Sequence, residues 1–297
     1  MPIATVAIMS PGDMGHSVGA VLKDHGLRAV TCLQGRSERT RELAAEAGIE
    51  DLPDLDTLVT QADLILSILV PAAARDLALQ VAAALRSTGA TVIYADCNAI
   101  APSTARSVAD IIQSAGGRMV DAGIIGPPPN RPGNRFYASG PAAEEFAVLN
   151  QHGLDVRLLP GAVGQASGLK VCYAALTKGL QALGLELLVA AQAMGLQDAL
   201  AAEHAEGMAP IRGYLERITP TMPPKAHRWV GEMEEIAQAF ADLGMTPRLF
   251  QGVADMYRMV ADTPIGRETP ENRDLSRDTT GVVATLAEAL QAPAQPA

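Results

Sequence analysis

Residues 3–15 read Ile-Ala-Thr-Val-Ala-Ile-Met-Ser-Pro-Gly-Asp-Met-Gly, and this stretch is the strongest indication of the fold. The apolar run at 3–9 favours a short buried strand, and Gly12 and Gly15 follow it directly to open a helix. A dinucleotide needs this order of elements, because glycine lets the backbone approach the pyrophosphate and the helix N-terminal amides bind its charge. The predicted pyrophosphate-binding residues are Gly12, Asp13, Met14 and Gly15.

The residues after the second predicted strand, 29–33, indicate which dinucleotide binds. An acid that binds the ribose 2′-hydroxyl usually follows this strand, about twenty residues beyond the glycine turn. The sequence has no carboxylate there and offers Arg36 and Ser37 instead. An arginine and a hydroxyl can hold a 2′-phosphate, so NADP(H) is favoured over NAD(H). A solvated turn is the alternative interpretation of Arg36.

Strands and helices alternate through the first half of the chain. Further strands are predicted at 62–69, 90–95, 118–121, 136–140 and 156–159. Helices are predicted between them at 71–85, 103–115 and 142–153. This alternation predicts an α/β fold with a Rossmann-type, doubly wound and mostly parallel sheet. Ligands bind such sheets at the carboxyl ends of the strands. The predicted cofactor-binding residues at those ends are Val70, Pro71, Asn98 and Ala99.

The second half of the chain is predicted to be α-helical. Residues 166–194 form the longest helix-compatible segment, and helices also fit 196–208, 211–218, 228–243 and 249–261, with a proline-rich break at 219–224. We therefore expect an all-α C-terminal domain joined to the first domain through a long interdomain helix. The expected boundaries are 1–162 for the nucleotide-binding domain, 163–290 for a helical substrate and dimerisation domain, and 291–297 for a disordered tail.

The long helix carries charge where charge is costly. Lys170, Lys178 and Glu186 are its only ionised residues, and an unpaired buried ammonium costs several kcal/mol. The two lysines would lie roughly 12 Å apart along the axis and about 80° apart around it, so they could edge one cavity. Lys178 is interpreted as pairing with a surface acid, and Lys170 as functional. A membrane span is possible by length, but these charges argue against it.

Composition excludes several classes of function. The 297 residues carry a formal net charge of −10, which argues against nucleic acid or an anionic membrane as the main partner. The N-terminus lacks the features of a signal peptide, so a cytoplasmic location is expected. Cys32, Cys97 and Cys172 are far apart and lack metal-ligand spacing. We expect neither a disulfide framework nor a metal site.

These motifs together resemble the β-hydroxyacid dehydrogenase family, which includes 3-hydroxyisobutyrate dehydrogenase and the NADP-binding part of 6-phosphogluconate dehydrogenase. The resemblance extends over nearly the whole chain and suggests a poorly characterised branch with its own helical C-terminal domain. In the family turn G-x-G-x-M-G, Ser10 stands in place of the first glycine. The other family motifs correspond to Asp96, Asn98, Ala99 and Pro102, to residues 121–127, and to Gly161, Gly164 and Lys170.

The resemblance implies hydride transfer between NADP and a small hydroxy acid or its carbonyl form, with Lys170 as general acid and base. It also implies a homodimer, because the helical domain of relatives packs against a second copy. Residues proposed to bind the substrate, which is expected to be anionic, are Asp121, Ile125, Gly126, Tyr173, Thr177 and Lys178.

Departures from the family pattern leave two alternatives open. Tyr173 and Ala174 replace two asparagines, and a later Lys-Asp pair is replaced by Gly231 and Glu232. An imine reductase-like enzyme is one alternative, although related imine reductases usually lack the lysine. A non-catalytic NADP(H)-binding sensor or scaffold is the other.

Overall fold

The computed structural model describes residues 3–291 and divides the chain into two compact units between Cys172 and Tyr173. This division falls within the long helix. Of the predicted tail, Gln291 ends the last helix, and residues 292–297 lie outside the described part of the chain.

The first unit is built on one eight-stranded sheet. Its strands are β1 Thr5–Met9, β2 Arg28–Thr31, β3 Glu50–Asp51, β4 Leu64–Ser67, β5 Ile93–Asp96, β6 Arg118–Ile125, β7 Arg135–Ser139 and β8 Val156–Leu158. They lie in the order β3-β2-β1-β4-β5-β6-β7-β8, and all neighbours run parallel except β6 and β7. The order reverses beside β1, where a doubly wound sheet opens a crevice for ligands.

Helices cover both faces of this sheet. They are α1 Gly15–Asp24, α2 Glu38–Glu46, α3 Leu55–Gln61, α4 Ala74–Thr88, α5 Pro102–Gln113 and α6 Ala143–Phe146, with short 3₁₀ segments at Pro71–Ala73 and Ala147–His152. Alternate residues of β1 point to opposite faces, so Val6 and Ile8 join one apolar cluster while Ala7 and Met9 join the other. The predicted Rossmann-type, mostly parallel sheet is confirmed.

Several elements of the first unit carry too little apolar pattern to be read from sequence. The helix α2 buries only Ala44, and β3 consists of two exposed acids. The strand predicted at 118–121 continues to Ile125, because residues 121–125 pair antiparallel with β7. The helix predicted at 142–153 is one short α-helical turn followed by a 3₁₀ segment.

The helix α7, Gln165–Ala193, agrees closely with the predicted long helix. Its apolar window is long enough to cross a membrane by length and composition, yet 44% of that window is buried within the protein. A core helix of a soluble protein passes the same test. The helix therefore gives no argument for a membrane span.

The second unit is helical, as predicted. Its further helices are α8 Gln197–Gly207, α9 Ala209–Ile218, α10 Ala226–Asp242, α11 Arg248–Ala261 and α12 Thr279–Gln291. The proline-rich break forms two 3₁₀ turns, Thr219–Thr221 and Pro223–Lys225. The sequence analysis did not predict α12.

Candidate active site

The glycine turn between β1 and α1 has the shape that a pyrophosphate requires. A Cβ at Gly15 would lie 2.8 Å from the carbonyl oxygen of Ser10, so only glycine lets α1 pack this closely on the turn. A Cβ at Gly12 would meet only that same oxygen, at 4.0 Å, so Gly12 faces open space. The helix α1 begins without a side-chain cap and has no acid in its first turn. The turn thus fits an approaching anion.

Ser10 keeps the backbone conformation of the glycine that it replaces. Its φ of 62° is the only positive φ of a non-glycine residue within the described part of the chain. Its carbonyl oxygen accepts a hydrogen bond from the amide of Gly12 at 2.7 Å, which closes the turn. A left-handed conformation costs a residue other than glycine about 1–2 kcal/mol. The degenerate motif therefore preserves the turn at some cost in stability.

The turn after β2 holds the residues predicted to select the cofactor. Ser37 caps α2, because its Oγ accepts a hydrogen bond from the amide of Thr40 at 3.3 Å. Arg36 is half-buried, and no carboxylate within residues 3–291 forms an ion pair with it. A free guanidinium and a hydroxyl thus lie side by side in this turn.

A carboxylate that the sequence analysis missed also reaches this edge of the sheet. Asp51, the last residue of β3, accepts a hydrogen bond from the amide of Leu33 at 2.8 Å. Arg41 donates to the carbonyl oxygen of Leu33 at 2.6 Å, so the backbone there is held from both sides. Asp51 pairs with Thr31 in the sheet, a proximity that sequence spacing alone does not reveal.

Asn98 ties together the ends of β4 and β5. Its Oδ1 accepts a hydrogen bond from the amide of Leu69 at 2.6 Å, and its Nδ2 donates to Ser67 Oγ at 2.8 Å. The side chain is buried, so its contacts shape the turn from beneath. Val70 is exposed at the same end of the sheet, whereas Pro71 is buried and starts a 3₁₀ turn. Of the predicted cofactor residues here, Val70 offers the more accessible surface.

The buried carboxylate of Asp121, in β6, holds the start of α7. Its Oδ2 accepts hydrogen bonds from the amides of Gly164 at 2.7 Å, Ala166 at 3.0 Å and Ser167 at 3.2 Å. Ser139 Oγ donates to Oδ2 at 3.0 Å, and Ser167 Oγ donates to Oδ1 at 2.5 Å. An anion at a helix N-terminus satisfies its unpaired amides. These bonds make Asp121 the anchor of α7, and its role in binding substrate stays a prediction.

Lys170, the predicted catalytic residue, lies at the carboxyl end of β6. Its Nζ donates a hydrogen bond to the carbonyl oxygen of Ile124 at 2.5 Å, and the side chain is half-buried. Gly123 makes this contact possible, since a Cβ there would lie 3.0 Å from Ala166 O and 3.1 Å from Lys170 Cβ. A glycine within a strand often marks such a close approach, which is the signal that would have identified Gly123.

The next two predicted substrate residues end the same strand. Ile125 is buried. Gly126 has a φ of 108°, and a Cβ there would lie 2.2 Å from the carbonyl oxygen of Gly133. Asn134 Nδ2 donates to Pro127 O at 2.5 Å, which ties the two ends of the loop together. The polar loop after β6 is therefore folded tightly back on itself, beside the strand end that carries the Lys170 contact.

The second unit contains a cluster around Lys178, another predicted substrate residue. Lys178 forms an ion pair with Glu232, and its Nζ lies 4.8 Å from the centre of the Trp229 ring. Burial lowers the pKa of Lys178, and the Glu232 carboxylate opposes that shift. The expected ion pair is present, but its acid is mostly buried rather than on the surface, at 14% exposure.

Tyr173 and Thr177, the remaining predicted substrate residues, lie in the first turns of the second unit. Tyr173 is exposed, and the hydroxyl of Thr177 donates to its carbonyl oxygen at 3.1 Å. Tyr257 OH donates to the carbonyl oxygen of Lys178 at 2.8 Å. No group of His, Cys, Asp and Glu side chains within residues 3–291 is arranged to hold a metal ion.

The Rossmann-type sheet with its glycine turn is the architecture of a domain that binds NAD or NADP. Residues 5–146 match the NAD binding domain of 6-phosphogluconate dehydrogenase, and residues 191–260 match a domain of unknown function, DUF1932. The N-terminal part of the chain therefore resembles the NAD-binding domain of 6-phosphogluconate dehydrogenase. The predicted resemblance to this family is confirmed, and the second match gives the helical C-terminal part a domain of its own.

Individual relatives agree with this assignment. An uncharacterized 28.5 kDa protein of Methanothermus fervidus is 26% identical over 253 residues, which are 84% of this chain and 96% of the relative. A conserved protein of unknown function, whose structure is described as similar to 3-hydroxyacid dehydrogenases, is 28% identical with a TM-score of 0.64, covering 87% of this chain and 97% of its own.

More distant solved structures share the fold alone. The 3-hydroxyisobutyrate dehydrogenase of Mycobacterium tuberculosis, solved with L-serine, is 20% identical with a TM-score of 0.65, covering 96% of this chain and 99% of its own. Imine reductases have the same fold at TM-scores between 0.52 and 0.55.

The anchor role of Asp121 predicts a large loss of stability on Asp121→Asn. The neutral amide can keep its oxygen toward the three backbone amides, but it loses the negative charge that strengthens these bonds and puts a donor where Ser167 Oγ now donates, so the free energy of unfolding should fall by about 2–4 kcal/mol. Urea denaturation followed by circular dichroism measures this change. Asp155→Asn, at an exposed ion pair with Arg157, is the matched control and should change little. An Asp121→Asn protein as stable as wild type would contradict the assigned role.

Proposed function

We propose that this protein is an NADP-dependent oxidoreductase that transfers a hydride between the nicotinamide and a small, anionic hydroxy acid or its carbonyl form. The observation that carries the proposal is the Lys170 ammonium at the carboxyl end of β6, bonded to Ile124 O. It lies in the same unit as a glycine turn that fits a pyrophosphate. A cytoplasmic location belongs to the same proposal.

The reaction needs a proton carrier beside the hydride carrier. NADP(H), when bound, supplies the hydride. Lys170 then acts as the acid that protonates the oxygen when a carbonyl is reduced, and as the base that accepts the proton when an alcohol is oxidised. Its contact with Ile124 O orients the ammonium, and the Asp121 anchor fixes the helix that carries it. A positioned side chain of this kind is what general acid and base catalysis requires.

The preference for NADP(H) rests on Arg36. This guanidinium has no carboxylate partner in the described chain, and it adjoins the Ser37 hydroxyl in the turn after β2. A 2′-phosphate would provide the partner that Arg36 lacks. NAD(H) is the alternative cofactor, and Asp51 is a carboxylate at the same edge of the sheet that could favour it.

Arg36→Ala should weaken binding of NADPH by about 10- to 100-fold, because one charge-assisted hydrogen bond to the phosphate is lost, and should leave binding of NADH unchanged. Titration of both nucleotides by nicotinamide fluorescence measures the two affinities. Arg28→Ala is the matched control, since it changes an arginine at the other end of β2. Equal affinities for NADPH in wild type and Arg36→Ala would remove the NADP assignment.

Lys170→Ala should reduce turnover by about 10²- to 10⁴-fold while leaving the affinity for NADPH unchanged, because the lysine transfers a proton but does not hold the nucleotide. NADPH consumption with a panel of short keto acids measures the effect, and Lys23→Ala, at an exposed lysine of α1, is the control. Full turnover in Lys170→Ala would refute the assigned role.

The same panel separates the two alternatives. Cyclic imines, added to the keto acids of the panel, test the imine reductase-like alternative, which the presence of Lys170 disfavours. The replaced family residues, Tyr173 and Ala174, favour a sensor or scaffold instead. A sensor would bind NADPH tightly and consume none with any compound of the panel.

We also infer a homodimer formed through α7. From Tyr173 to the end of the helix, apolar residues repeat at alternating spacings of three and four, the pattern of a helix seam. These residues are Tyr173, Leu176, Leu180, Leu183, Leu187, Ala190 and Met194. Leu176 is 70% exposed, Leu183 59% and Met194 65%, and α8 buries no residue. A second copy of this chain would cover such a stripe, as the family resemblance implies.

Sedimentation velocity at micromolar concentration should therefore find a dimer of the 30.9 kDa chain. Replacing Leu176 and Leu183 together by Glu places charges in the seam and should give a folded monomer. The control replaces Leu275 by Glu, since this exposed leucine lies outside the stripe. A wild-type protein that sediments only as a monomer would contradict the dimer.

A further inference from the structure

An ion pair joins the two turns that are proposed to bind the cofactor. Arg39, in the first turn of α2, donates from Nη2 to Oδ1 of Asp13, in the glycine turn before α1. The Arg39 side chain is 37% exposed and that of Asp13 27%, so both ions are partly withdrawn from water. The pair connects the carboxyl ends of β1 and β2.

Asp13 creates an electrostatic problem for a turn that binds an anion. A carboxylate beside the N-terminus of α1 competes for the same helix dipole that would attract a pyrophosphate. It would also repel the phosphates directly, and more strongly where water is partly excluded. A turn with an unpaired aspartate would therefore bind a dinucleotide less well than the same turn with a neutral residue.

Two other arginines of this region, Arg36 and Arg41, form no ion pair with Asp13 in the described part of the chain. Arg41 donates to the carbonyl oxygen of Leu33, and Asp51 accepts from the amide of the same residue. Both act on the backbone after β2. Arg36 forms no ion pair with any carboxylate of the described chain, so it does not neutralise Asp13 either.

We propose that Arg39 is a positioning residue for the cofactor, which neutralises Asp13 and holds the two turns at a fixed separation. The dinucleotide then meets a glycine turn without net charge, while Arg36 remains available for the 2′-phosphate. This inference rests on the proposed function, because it requires NADP(H) to bind here. It assigns to Arg39 an effect on the pyrophosphate, which NADPH and NADH share.

The shared pyrophosphate gives the inference its signature. Arg39→Ala should weaken binding of NADPH and of NADH by the same factor, about tenfold, because the Asp13 carboxylate has then lost the guanidinium that neutralises it. Arg36→Ala should affect NADPH alone. Direct binding of the 2′-phosphate by Arg39 would instead make Arg39→Ala selective for NADPH.

The test is a double-mutant cycle measured by nicotinamide fluorescence with NADPH and NADH. Asp13→Asn alone should bind both nucleotides as tightly as wild type or more tightly, since it removes a negative charge. The double variant with Asp13→Asn and Arg39→Ala should recover to within about threefold of wild type, because position 13 then carries no charge. Thermal unfolding of each variant shows that the fold is retained. Arg28→Ala with Glu50→Gln, an exposed ion pair at the other end of β2, is the matched control cycle and should leave both affinities unchanged.

Three results would overturn the inference. Unchanged affinity in Arg39→Ala would show that Asp13 does not oppose the cofactor. A loss for NADPH alone, or no recovery in the double variant, would show that Arg39 acts by another route. If the wild-type protein binds neither nucleotide, the proposed function is wrong and this inference is wrong with it. The three results above differ from that outcome, because in each of them the wild-type protein still binds the nucleotides.

Discussion

The buried carboxylate of Asp121 is the constraint on which the candidate active site depends. It lies in β6, and its hydrogen bonds to Gly164, Ala166 and Ser167 fix where α7 begins. Gly123 then lets the helix approach the strand, and Lys170 comes to rest on Ile124 O. One carboxylate thus sets the start of the helix and, through it, the position of the ammonium. A buried anion that accepts several charge-assisted hydrogen bonds is a strong and specific anchor.

The glycine turn after β1 is a second constraint, at the point where the strand order of the sheet reverses. Ser10 adopts the left-handed backbone of the family glycine, and Gly12 leaves open space where a phosphate would approach. The turn therefore retains its function-related shape although its motif is degenerate. A ligand contacts the backbone of the turn and not its residue types. The turn keeps its backbone geometry although Ser10 replaces the first glycine of the motif.

The sequence predicted most of the sheet, the long helix and the Rossmann-type fold, because apolar strands and an apolar helix leave strong periodic patterns. It missed α2 and β3, which are polar and nearly unburied, and it also missed the helices α3 and α12. The predictions for Gly12 and Lys170 as site residues followed local motifs. The anchor role of Asp121 could not be predicted, because its partners lie more than forty residues away or on another strand. The position of Asp51 beside the turn after β2 could not be predicted either, because strand pairing brings it there and sequence spacing does not reveal it.

The proposed hydride transfer and the proposed role of Arg39 both require a nucleotide bound to the first unit. Arg36 would select it, the uncapped start of α1 would hold its pyrophosphate, and Lys170 would work beside its nicotinamide. The second unit would contribute the exposed stripe on α7 and the Lys178 cluster. A crystal structure of the protein with NADP⁺ tests this account most directly. We expect the pyrophosphate at the amides of the glycine turn and the nicotinamide ring close to Lys170 Nζ, with space for a substrate between them. A nicotinamide held far from Lys170, with the pyrophosphate still on the glycine turn, would contradict the account.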